Sequence, residues 1–87
     1  MKSPRFLQIR RAVAQVLNDC APMLVPEDRL FTEANNNLRG LNAAATLAEF
    51  EQAIGTMEQD RHILRHRSDH EGVKTKLSQL GEAELLK

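Results

Sequence analysis

The apolar residues of this chain change their spacing once, near Asp60, and that change limits the folds open to it. Over Phe6–Cys20, Leu30–Leu38 and Leu47–Met57 they recur every three or four residues, the period of a helix face. From Val73 to Leu77 they alternate, the period of a strand. With 87 residues the chain has room for one small domain with a thin core. The spacing predicts an α+β, mainly α fold. Helices are expected over about 4–20, 26–38 and 46–60, then a two-stranded hairpin over about 62–77 and a short closing turn over 78–86.

Local signals set these boundaries. Ser3-Pro4 reads as an N-cap followed by proline at the first helical position. Phe6, Ile9, Val13, Val16, Leu17 and Cys20 form one apolar face, and Pro22 stops the helix. Met23-Leu24-Val25 is long enough for a short strand or bridge only. Pro26, Glu27 and Asp28 open the second helix, with carboxylates at the positive end of its dipole. Its inward stripe is Leu30, Phe31, Ala34 and Leu38. The run Asn35-Asn36-Asn37 weakens it, and Gly40 ends it. Thr46-Leu47-Ala48-Glu49 is a capping box, opening a third helix whose buried face is Leu47, Phe50, Ala53, Ile54 and Met57.

After Asp60 two readings compete. Residues 46–71 can run on as one long helix ended by Gly72, which makes an all-α fold. Alternatively, the turn formers Ser68-Asp69-His70-Glu71-Gly72 join two strands. The histidines carry the difference. His62, His66 and His70 would line one face of a helix, where an i, i+4 pair can hold a metal. On a strand, four residues span about 13 Å, too far to share one ion. The alternation of Val73-Lys74-Thr75-Lys76-Leu77 favours the hairpin, and no metal or other cofactor is expected.

The order helix, short strand, helix, helix, hairpin resembles a winged-helix domain. The likeness rests on TLAEFEQAIGTMEQDRHI, on the charged turn leading into GVKTKL, and on the ending LSQLGEAELL. It covers nearly the whole chain. The resemblance implies that the third helix enters the major groove of double-stranded DNA and that residues 62–77 form the wing. Gln52, Thr56 and Gln59 are then the candidate base contacts, since glutamine matches the adenine edge. Arg65, Arg67, Lys74 and Lys76 are the candidate phosphate contacts. So few cations bind DNA weakly singly, so a homodimer is expected.

Each of these residues has a plainer reading. The wing cations also suit a solvated β-edge that resists aggregation. Arg5, Arg10 and Arg11 suit a solvated helix face, and Cys20 a core thiol. Residues 46–60 carry Glu49, Glu51, Glu58 and Asp60 with no lysine or arginine, so the third helix equally suits docking to a protein. Composition narrows the classes further. Tryptophan and tyrosine are absent and only three phenylalanines are present, which argues against stacking of single-stranded bases. One cysteine and no long apolar run point to a reducing cytosol without a membrane span. No Ser/His/Asp order, glycine-rich phosphate loop or pair of carboxylates flanked by apolar residues suggests an enzyme.

Overall fold

A computed structural model describes residues 3–39, 44–70 and 72–86. The elements in order are α1 (Pro4–Cys20), β1 (Val25–Pro26), α2 (Glu27–Arg39), α3 (Leu47–Gln59), β2 (Ile63–Ser68), β3 (Gly72–Leu77) and α4 (Gln79–Leu85). The fold is α+β and mainly α, with four helices among the described residues where three were expected. Its order of elements and its antiparallel sheet β1-β3-β2 are compatible with a winged-helix-like arrangement. None of the described helices is long and apolar enough to cross a membrane.

The caps act as their residue types require. The Ser3 hydroxyl accepts from Phe6 N at 3.1 Å. At α3 the capping box is complete: Glu49 N donates to Thr46 Oγ1 at 3.1 Å, and Thr46 N donates to Glu49 Oε1 at 3.0 Å. Pro26 lies in β1, opposite Lys74, so α2 begins one residue later than expected. Proline is tolerated there because β1 is an edge strand. Asn35 does not weaken α2. Its buried amide accepts from Ala45 N at 2.8 Å and donates to Ala45 O at 3.2 Å, tying α2 to the approach of α3. The stop expected at Gly40 and the charge of Glu71 fall outside the described residues.

The long-helix alternative is wrong. Arg61 takes a left-handed conformation with φ 63°, which turns the chain out of α3 and into β2. Gly72, with φ 74°, then closes the turn between β2 and β3. The closing segment is a full helix rather than a turn, because the Ser78 hydroxyl accepts from Gly81 N at 2.9 Å and nucleates it.

One core unites these elements. Val13 and Leu17 of α1, Leu30 and Leu38 of α2, and Ile54 and Met57 of α3 are buried against Val25, Ile63 and Leu77 of the sheet. Leu47, expected on the buried face of α3, is instead exposed at its first turn. Phe31 and Phe50 meet edge to face, with ring centroids 5.1 Å apart. Cys20 packs half-buried against this cluster.

Candidate functional site

The third helix buries Phe50, Ala53, Ile54 and Met57, so the opposite face carries Ala48, Gln52, Gly55 and Gln59. Gln52 and Gln59 are exposed, and a Cβ at Gly55 would meet nothing within 4 Å. Thr56 is half-buried, and its hydroxyl donates to Gln52 O at 3.1 Å. Gln52 and Thr56 border a cleft of about 330 Å³ between α1 and α3, shared with Arg5, Phe6 and Ile9. Gln59 lies a turn further along and outside that cleft. Arg5 closes the cleft's rim by donating to Glu49 Oε2 at 3.1 Å and to Ala44 O at 3.0 Å. Hydrogen bonds from Arg5 and from Thr46 N hold the Glu49 carboxyl below its ordinary pKa.

The four cations expected to meet phosphate do not share a surface. In the β2–β3 register Arg65 opposes Thr75, Arg67 opposes Val73, His66 opposes Lys74 and Leu64 opposes Lys76. Alternate residues project to opposite faces. Arg65 and Arg67 therefore lie on the face of Ile63, Thr75 and Leu77, towards the helices. Lys74 and Lys76 lie on the outer face with Leu64 and His66.

On the inner face both arginines are held by carboxylates. Arg65 Nε donates to Glu27 Oε2 at 2.6 Å and its Nη2 to Glu27 Oε1 at 2.9 Å, a bidentate pair, while Nη1 reaches Glu58 Oε1 at 3.2 Å. The Thr75 hydroxyl, fully buried, donates to Glu27 Oε2 at 3.1 Å. Arg67 Nη2 donates to Glu58 Oε1 at 3.3 Å. The Glu27 hydrogen bonds raise the Arg65 pKa above its ordinary value. Burial works to raise the Glu58 carboxyl, but hydrogen bonds from Arg67 and Arg65 outweigh it and hold it below the ordinary value.

The lowered Glu58 carboxyl makes folding stability pH-dependent. A carboxylate whose folded pKa lies below its unfolded one contributes stability above the unfolded value. That contribution is lost as pH falls through the folded value. Glu58→Gln is therefore expected to flatten the acid limb of stability. The gap in urea midpoint between wild type and variant is largest at neutral pH and closes below the ordinary carboxylate range. A constant gap would show that the titration of Glu58 contributes nothing.

The histidines are dispersed by the strand. His62, 5% exposed, sits before β2 with its Nε2 at 2.8 Å from Glu84 Oε2, fastening α4 to the sheet. His66 is exposed on the outer face and His70 in the turn. Among the described residues no cluster of three metal-ligating side chains occurs.

What residue types alone missed is the clasp formed by Glu27, Glu58 and Arg65, and the signal for half of it was present. Parity along the strand separates Arg65 and Arg67 from Lys74 and Lys76 once the register is known. Compared with protein-family models, curated proteins and solved structures, the chain matches none.

Proposed function

We propose that this chain is a winged-helix-like module that docks protein. One observation carries the reading: of the cations expected to meet phosphate, Arg65 is clasped by Glu27 and Glu58 with little of it exposed, and Arg67 is paired with Glu58 at the surface. The exposed face of α3 adds no cation, and Glu51 borders it. Phosphate contacts dominate affinity for DNA, so a surface this poor in available cations is suited to another partner. The winged-helix assignment itself is supported by the order of elements and by the pairing of β1 with β3 beside the hairpin.

A second reading has its own observation. Gln52 and Gln59 stand exposed between the small residues Ala48 and Gly55, an arrangement that fits a major groove. In that reading α3 meets the bases and Lys74 and Lys76 meet phosphates. A fluorescence-anisotropy titration with a mixed-sequence duplex, at low and then moderate salt, separates the two. The docking reading expects no binding at either salt. Binding that falls steeply with salt, and that Lys74→Glu with Lys76→Glu abolishes, would overturn it in favour of DNA.

A further inference from the structure

We infer that the outer face of the sheet receives an acidic amphipathic helix of a protein partner, one whose carboxylates lie a helical turn apart between apolar residues; the inference rests on the docking reading. Val25 opposes Thr75 and Pro26 opposes Lys74. Carried one residue back, that register sets Leu24 on one side of Lys76, with Leu64 on the other. The next row along the strands is Pro26, Lys74, His66. Two lysines therefore run down the central strand, and leucines flank the second of them on both sides. Leu24 is 37% exposed and Leu64 52%. Lys76, exposed between them, makes no hydrogen bond or ion pair among the described residues. Large apolar groups gathered in this way mark an interface more often than an idle surface.

Charge and spacing identify the occupant. β1, β2 and β3 contain no carboxylate, so nothing within the strands balances the two lysines. Glu82 lines a cleft that Lys76 shares with Leu17 and Leu77, yet it forms no ion pair with the lysine. Neighbouring strands lie about 4.8 Å apart, which puts Leu24 and Leu64 about 10 Å from each other, the width of one helix. Two residues along β3 separate the lysines by about 6.7 Å, and carboxylates at i and i+4 of a helix stand about 6 Å apart along its axis. A helix laid along β3 thus brings one carboxylate to each lysine while its flanking apolar side chains meet Leu24 and Leu64. Other occupants match only part of this face. A second copy offering the same face would set lysine against lysine. A bilayer takes apolar groups deepest and leaves lysines at the rim, whereas here the lysines hold the centre. Phosphates would meet the lysines and gain nothing from the leucines.

The probe is a synthetic helical peptide with glutamates at i and i+4 between leucines, titrated into the full ¹⁵N-labelled chain. It is expected to shift the amide signals of Leu64, His66, Lys74 and Lys76 and to leave those of Gln52 and Gln59 in place. Lys76→Glu is expected to weaken binding at least about tenfold. Leu64→Ala is expected to weaken it about fivefold, through the lost burial of one leucine side chain. A second peptide with lysines in place of the glutamates is expected to bind Lys74→Glu with Lys76→Glu and not wild type, a reversal that unfolding cannot imitate. Circular dichroism verifies that each variant keeps its fold. No binding, shifts confined to α3, equal binding of the two peptides, or indifference to Leu64→Ala would each overturn the inference and leave the docking reading to the face of α3. Vesicles of phosphatidylserine and phosphatidylcholine that bind through the same residues would overturn it in favour of a lipid surface. Salt-sensitive duplex binding in the anisotropy titration would instead overturn the docking reading itself.

Discussion

Gly81→Ala is expected to cost about 2–3 kcal/mol of folding stability, the upper range for overpacking a close-packed site. Gly81 is buried where α4 passes over the carbonyl of His62, and a Cβ there would overlap that backbone oxygen and lie 3.2 Å from Leu77 Cδ2. Leucine tips can give way; a carbonyl fixed by Ser78 N at 3.0 Å has far less freedom. Relief requires α4 to lift. Lifting it strains the His62 contact with Glu84 and withdraws Leu85 from the core. For a chain of this size the loss corresponds to a melting temperature lower by roughly 8–20 °C, read by circular dichroism. Gly55→Ala is the control. Its Cβ would meet nothing within 4 Å, and it sits inside α3, so alanine there is expected to stabilise by about 0.5–1 kcal/mol. If both variants melt like wild type, the close approach of α4 to His62 carries no energetic weight.

Gly81 also illustrates what could be read in advance. Capping chemistry is local, so Ser3, Thr46 and Glu49 announced α1 and α3 from a few neighbouring residues. The same rule applies to Ser78, yet the expectation for 78–86 is only a short turn. The glycine is there because backbone meets backbone, a tertiary demand that no local pattern states. Asn35 repeats the lesson from the other side. In a run of three asparagines it looks like a helix weakener, but its partner, Ala45, is ten residues away and fixes it within α2. The hairpin cations divide along the same line. That strand residues alternate was visible in Val73 to Leu77; that Arg65 would find Glu27, 38 residues earlier, was not. Charge alone points to Arg65, Arg67, Lys74 and Lys76 for phosphate contact, and charge does not show which cations the fold has already engaged.

The Arg65 clasp makes the second large prediction, and it is one of coupling rather than of simple loss. Arg65 and Glu27 have side chains 18% and 20% exposed, and between them they join the start of α2 to the middle of β2. Removing one partner of a buried pair strands the other, which for fully buried pairs costs about 3–5 kcal/mol. With a fifth of each group reaching solvent, Arg65→Ala is expected to cost about 2–3 kcal/mol, a discounted share of that range. Most of the loss arises because Glu27 would keep only the Thr75 hydroxyl, 3.1 Å away, to satisfy a largely desolvated carboxylate. In a Glu27→Ala background nothing is left stranded beneath the hairpin except a neutral hydroxyl, and Glu58, more exposed, can turn to water. Arg65→Ala should then cost far less, giving a coupling energy of about 1–3 kcal/mol in a double-mutant cycle measured by urea unfolding. Additive losses would mean that the clasp contributes nothing as a pair and that the arginine acts only through the packing of its stem. It would also release Arg65 to meet phosphate at little internal cost, and so remove the main support for a module that docks protein. A strong coupling instead keeps the arginine engaged with Glu27 whenever the chain is folded, because extracting it to meet a phosphate would forfeit that energy.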